Sequence, residues 1–127
     1  MASEKLSELQ LAFVQALWDL GEGSVAQVLE ALEQQGRKLA PTTVATVLRR
    51  LEAQGWVAHR EQGRTFIYKA TVSHRRAAGR MLTSLTRDLF GGDLPAMVSH
   101  LLESHKVDRQ EIEELRRLIA EKEKKLK

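Results

Sequence analysis

In the stretch PTTVATVLRRLEAQG, residues 41–55, threonines at 42, 43 and 46 precede arginines at 49 and 50. Threonine is a poor helix former, because branching at Cβ restricts χ1 and the hydroxyl competes for backbone groups. Yet Pro41 suits a first helical turn and Gly55 a helix end. On a helical wheel Val44, Val47, Leu48 and Leu51 cluster on one side. Thr42, Thr46, Arg49 and Ala53 fall opposite, flanked by Thr43, Ala45 and Arg50. The outward face is thus small and hydroxyl-bearing near its start and cationic further along, where a solvated face more often carries Glu, Lys and Gln. Such a face suits a duplex major groove: methyls pack on thymine methyls, hydroxyls bond base edges, and arginines grip phosphate or read guanine. The helix N-terminus offers free N–H groups to phosphate as well.

Charge is distributed to match. Residues 1–36 hold one lysine, Lys5, against Glu4, Glu8, Asp19, Glu22, Glu30 and Glu33. Residues 37–69 hold Arg37, Lys38, Arg49, Arg50, Arg60, Arg64 and Lys69 against Glu52 and Glu61. A positive block inside a chain of net charge +3 points to a polyanionic partner.

The elements around this helix are legible. Ser7 with Gln10 and Ser24 with Gln27 form S-x-x-Q capping boxes that start two helices. Leu9, Phe13, Leu17 and Leu20, with Val14 and Trp18, give the first an apolar face; Val25, Val28, Leu29 and Leu32 do so for the second. GEGS, residues 21–24, reads as the turn between them. After Gly55 the period changes, and WVAHREQGRTFIYKA reads as two short strands joined at a Gln62-Gly63 turn. Its tip holds Arg64 where a cation can reach phosphate or a minor groove, with His59, Arg60 and Lys69 on the strands. Some of the aromatics Phe66 and Tyr68 read as core rather than as stacking platforms for single-stranded bases. Three helices and a hairpin are the layout of a winged helix-turn-helix. The expected fold class is mainly α with a small β-hairpin: a winged-helix DNA-binding domain at 1–72 and a three-helix dimerisation domain at 73–127.

In that second domain Ser73, Asp93 and Asp108 are the expected caps of three helices, with Glu111 completing a capping box and Val107–Ile112 a hydrophobic staple. The charged end, EKEKKLK, is expected to fray. Three short amphipathic helices bury too little apolar surface to stand alone. The stripe formed by Met81, Leu82, Leu85, Leu89, Leu101, Leu102, Ile112, Leu115 and Ile119 is best covered by a second copy of the chain, as a two-fold homodimer.

Other chemistry is poorly supported. There is no cysteine, so disulfides, thiolate metal sites and cysteine nucleophiles are excluded. His59, His74, His100 and His105 are scattered without ligand spacing, so no metal and no cofactor are expected. Glu113–Arg117 and Glu121–Lys125 read as helix ion pairs. No catalytic residues emerge, and an enzyme is not expected. No apolar run approaches the roughly 18 residues of a membrane span, and Met1–Lys5 lacks a signal-peptide stretch; the expected location is the cytoplasm, without membrane insertion. The reading from another class is a winged-helix protein–protein adaptor that binds no DNA, which calls for an apolar or acidic outward face on the third helix.

The stretches LSELQLAFVQALWDLGEGSVAQVLEAL, PTTVATVLRRLEAQGWVAHREQGRTFIYKATVS and DRQEIEELRRLI together resemble the penicillinase-repressor family of bacterial transcriptional repressors. The resemblance implies a homodimer that represses genes by binding pseudo-palindromic operators in double-stranded DNA, those of β-lactam resistance or related stress genes among them. It implies that Thr42, Thr43, Ala45 and Thr46 face the bases, while Arg49, Arg50, Arg60 and Arg64 serve the backbone and the wing. The copper-responsive branch carries C-terminal cysteine pairs, which this chain lacks. The β-lactam-responsive branch is inactivated by cleavage that a membrane sensor protease sets off. That would make such a protease a further partner, with the bond mapping near His100–Leu101, where the branch's Asn-Phe pair is missing.

Overall fold

A computed structural model of the chain describes residues 5–126. Met1–Glu4, most of the segment read as lacking a signal peptide, and Lys127, the last residue of the charged tail, lie outside the described residues. The order is α1 (Glu8–Leu20), α2 (Val25–Gln34), α3 (Pro41–Ala53), β1 (Val57–Gln62), β2 (Thr65–Ala70), α4 (His74–Phe90), α5 (Leu94–Ser104) and α6 (Arg109–Lys125). The fold is mainly helical with one two-stranded antiparallel hairpin. It divides into two compact units, Met1–Ser84 and Leu85–Lys127.

The helix starts follow the local sequence. Ser7 and Ser24 each accept from the backbone N–H three residues on, and Gln10 and Gln27 return the bond, so both capping boxes form. Asp108 and Glu111 do the same for α6, and Asp93 accepts from the Ala96 N–H at 3.0 Å. Ser73 Oγ accepts from the Arg76 N–H at 3.2 Å at the start of α4. These acceptors satisfy N–H groups that would otherwise be orphaned in the first turn.

In the first unit α1, α2, α3 and the hairpin enclose a core of Phe13, Val14, Leu17, Val28, Leu32, Val44, Leu48, Leu51, Trp56, Val57 and Tyr68. Ala77 of α4 is also fully buried here, and the Trp18 indole N–H donates to the Val72 carbonyl at 2.9 Å. The unit therefore runs past residue 72 and includes the first turns of α4. Leu20, placed on the apolar face of α1 by its spacing, is 43% exposed, because α1 stops there and Gly21 turns the chain away at φ 84°.

The passage from α3 into the hairpin is set by a Schellman turn. Gly55, at φ 87°, donates to the Glu52 carbonyl, and Trp56 donates to the Leu51 carbonyl at 2.9 Å. Trp56 is thereby driven into the core beside Leu51 and launches β1. Its indole N–H is buried without a partner among the described residues, an expense of about 1–3 kcal/mol that burial of the ring must exceed.

β1 and β2 pair from Val57↔Ala70 to Gln62↔Thr65, which leaves Gly63-Arg64 as the two-residue loop. The turn is displaced by one residue from the expected Gln62-Gly63. Gly63 takes φ 65° while Arg64 does not take a positive φ, the pattern of a II′ hairpin turn. The expected GEGS turn also contributes to the sheet: Gly23 exchanges both backbone hydrogen bonds with Tyr68, at 2.9 and 2.8 Å.

In the second unit the end of α4 is followed by α5 and α6. Met97 is its one buried hydrophobic side chain among the described residues, and the Thr86 hydroxyl donates to Met97 Sδ at 2.8 Å. In the charged tail α6 is helical to Lys125, with Lys122, Lys124 and Lys125 in its last turn, where cations favour the helix dipole. Among the described residues the ion pair in α6 is Glu113–Arg116 at 3.3 Å, three residues apart, rather than the expected Glu113–Arg117.

Candidate nucleic-acid interface

α3 presents the face read from its sequence. Val44, Leu48 and Leu51 are buried and Val47 packs against them half-buried. Thr42, Thr43, Thr46, Arg49, Arg50 and Ala53 are exposed, and Ala45 is half-buried at the edge of the face. Unlike the other helices, α3 has no side-chain cap: Ala40 occupies the N-cap and Pro41 the first helical position. Its first N–H groups consequently have no internal side-chain acceptor and are open to an anion.

Within this face the side chains are partly committed. The Thr46 hydroxyl donates to the Thr42 carbonyl at 2.9 Å and accepts from the Arg49 guanidinium at 3.4 Å. Gln10 of α1 donates to the Gln54 side-chain carbonyl at 2.9 Å, tying the start of α1 to the end of α3. Beside this bridge a concavity of about 370 Å³ is lined by Ser7, Gln10, Thr46, Arg50 and Gln54 among others.

The four predicted arginines divide into two kinds. Arg50 and Arg64 are exposed with no polar partner among the described residues, Arg64 at the hairpin tip. Arg49 leans on Thr46, and Arg60 is already engaged, donating to Glu22 at 2.7 Å and to Gln62 at 2.8 Å. Arg60 is on a strand, as its sequence predicts, but its partner Glu22 is 38 residues away and meets it only in the fold.

The inner face of the hairpin holds a cluster that spacing alone does not reveal. His59 Nδ1 lies 2.7 and 2.9 Å from the two oxygens of Glu52 on α3. Its ring stacks on Phe66 at 4.1 Å and 16°, with Tyr68 tilted beside it at 5.5 Å. Of the two aromatics, Tyr68 is core and Phe66 is 39% exposed. Burial pushes the Tyr68 hydroxyl above the usual phenol range; Glu52 adds to the rise and Arg49 opposes it.

The predicted dimerisation residues are placed separately. Met81 and Leu82 lie on α4 in the first unit, half-buried and exposed respectively. In the second unit Leu85, Leu89, Leu101, Leu102, Leu115 and Ile119 are exposed and Ile112 is half-buried. No three His, Asp or Glu side chains converge as metal ligands among the described residues.

With this geometry in view, residues 6–121 match the family model described as penicillinase repressor. The chain belongs to the penicillinase repressor family. The transcriptional regulator BlaI of Mycobacterium tuberculosis is 37% identical over 120 residues, covering 92% of this chain and 84% of that protein. The methicillin resistance regulatory protein MecI of Staphylococcus aureus is 21% identical over 118 residues, covering 93% of this chain and 95% of that one. Among solved structures, YusO of Bacillus subtilis superposes with a TM-score of 0.57 at 16% identity, over 95% of this chain and 77% of that one. BpsR of Bordetella bronchiseptica, whose DNA binding is regulated by 6-hydroxynicotinic acid, gives 0.51 at 26% identity over 82% of each. The repressor is thus a DNA-binding transcriptional regulator with a winged helix, not an enzyme. The reading as an adaptor without DNA binding falls with the family match. No helix among the described residues is long and apolar enough to cross a membrane.

Proposed function

We propose that the repressor acts in the cytoplasm as a homodimer on a pseudo-palindromic operator, with residues 1–72 and the first turns of α4 packed on them forming the part that reads DNA, and the rest of 73–127 joining the protomers. The observation that carries the DNA-reading part is the exposed Thr42–Thr43–Thr46 face of α3, flanked by Arg50 and by the wing-tip Arg64, neither of which has a protein partner among the described residues. Thr42, Thr43, Ala45 and Thr46 face base edges in the major groove. Arg49 and Arg50 lie along the adjacent backbone, and Arg64 reaches phosphate or the neighbouring minor groove. Arg60 shapes the wing through Glu22 in addition to lending it charge.

The dimer is supported by the second unit's poverty of core. It buries Met97 but leaves Leu89, Leu118 and Ile119 69%, 62% and 61% exposed. An apolar trough of about 400 Å³ between α5 and α6, lined by Val98, Leu101, Leu102, Leu115 and Leu118, is shaped to take side chains from a second copy. Two copies related by a two-fold axis would present two recognition helices to the half-sites of a palindrome.

The names methicillin resistance regulatory protein and penicillinase repressor support β-lactam-resistance or related stress genes as the regulated class. In that setting a membrane sensor protease is a further partner. The bond near His100–Leu101 lies inside α5, so cleavage there requires α5 to open first.

The combined substitution Arg49→Glu and Arg64→Glu tests the reading. Duplex binding measured by fluorescence anisotropy is lost while the oligomeric state in light scattering stays the same. Binding that persists and is insensitive to salt would overturn it.

A further inference from the structure

We propose that Glu52 and His59 form a positioning pair that sets the wing relative to the recognition helix, so that Glu52 raises discrimination for the operator over other duplexes. This rests on the DNA-binding reading above.

Glu52 is the one acid in α3, two residues from Arg50 and three from Arg49. Next to a polyanion its charge is unfavourable, so its presence on this helix calls for another role. Its carboxylate reaches across to β1, where both oxygens lie within hydrogen-bond distance of His59 Nδ1.

His59 stands where support for the hairpin changes. Its register partner is Tyr68, which is buried and held from the other side by the two backbone bonds to Gly23. Beyond that pair come Arg60↔Ile67, Glu61↔Phe66 and Gln62↔Thr65, none of them buried. The Phe66 ring reaches back from this projecting part to stack on His59. Glu52, His59 and Phe66 are therefore a continuous side-chain path from α3 to the part of the wing that ends at Arg64. On the same strand, Glu22 holds Arg60 to the turn between α1 and α2. The three residue steps from His59 to Gln62 span about 10 Å, so a tilt of about 15° at His59 would move the tip by about 3 Å. That is enough to break a hydrogen bond to a phosphate.

The pair acts through placement, and this makes its sign opposite to that of its charge. Removing an acid from a DNA-facing surface strengthens duplex binding if charge alone matters. Loosening the wing weakens binding to the one sequence that needs Arg49, Arg50 and Arg64 in register.

Two probes are used: the tightest duplex that the wild-type full chain selects from a random library, and a mixed-sequence duplex of equal length. Glu52→Ala is expected to lower affinity for the selected duplex about 3- to 10-fold, between an exposed ion pair and a more buried charged hydrogen bond. Affinity for the mixed-sequence duplex is unchanged or higher. Glu52→Gln keeps an acceptor for His59 Nδ1 and stays within about 2-fold of wild type on the selected duplex. His59→Ala reproduces Glu52→Ala, and the double variant is no worse than either single one. Should Glu52→Ala unfold at the assay temperature, Glu52→Asp replaces it; one methylene shorter, it must lower the selected-to-mixed ratio where Gln does not. An undiminished ratio in a folded Glu52→Ala or Glu52→Asp chain, or additive losses in the double variant, overturns the proposal. A wild-type chain that selects no duplex overturns the DNA-binding reading instead.

Discussion

The Thr46 hydroxyl donates to the carbonyl of Thr42 one turn back, at 2.9 Å. A β-branched side chain bonded in this way has spent its one donor on its own helix. For the base contact proposed above, this leaves the methyl group and an acceptor lone pair, which Arg49 approaches at 3.4 Å. Of the two modes open to a threonine on a recognition helix, apolar contact is the one this geometry favours.

It follows that Thr46→Val, which keeps the shape and the methyl, should bind the selected operator within about 3-fold of wild type. Thr46→Ser keeps the hydroxyl and loses the methyl, and should bind less well by about 1 kcal/mol, the lower end of a base contact. Anisotropy titrations at fixed salt distinguish the two, and the opposite ranking would show that the hydroxyl is the reading group.

The arginines should separate by their protein partners. Arg64→Ala is expected to weaken binding to all duplexes alike and to reduce the slope of log affinity against log salt by about one. Arg60→Ala should change that slope by less, since Arg60 already donates to Glu22 and Gln62. Equal slopes for the two variants would place both on phosphate.

Leu85→Asp puts a charge on the exposed apolar side of α4. The expected result is a monomer in light scattering with the winged-helix unit still folded. That unit's core, from Phe13 to Tyr68, contains no residue of the second unit.

Core and surface leucines should differ sharply. Leu48→Ala empties a fully buried site under α3 and should cost about 2–5 kcal/mol in chemical denaturation. Leu20→Ala, at the exposed end of α1, should cost less than about 1 kcal/mol.

Tyr68 gives an alkaline signature. Its hydroxyl is held above the ordinary phenol value of 10.0, chiefly by burial. A folded pKa raised above the unfolded one contributes stability that is complete below the unfolded value and is lost as pH rises through the folded one. Thermal unfolding followed above pH 10 should show this decline, and Tyr68→Phe should make it shallower.

Local grammar was readable without the fold. The capping boxes at Ser7 and Ser24 and the one at Asp108 need only a side chain and an N–H three residues apart, so sequence spacing specifies them. The outward face of α3 was equally legible, since a helical period and a buried Val44–Leu48–Leu51 stripe leave Thr42 and Thr46 no other direction. Other features depend on contacts between residues far apart in the chain. The hairpin turn moved to Gly63-Arg64 because strand register is set by the whole ladder from Val57↔Ala70 outward. Leu20 matched the apolar period but lies where α1 ends and is left 43% exposed.

The sequence by itself determined that a winged helix would form and which side of α3 would meet solvent, because both follow from local periodicity and caps. Only the tertiary structure decided how the charges are used. Arg60 is drawn to Glu22 across 38 residues, and Glu52 is drawn to His59 through the angle that the Gly55 turn imposes between helix and strand. Arg50 and Arg64 are the arginines of the face left without a protein partner among the described residues. Charge counts are additive along a chain, but pairing depends on distances that exist only once the core has closed.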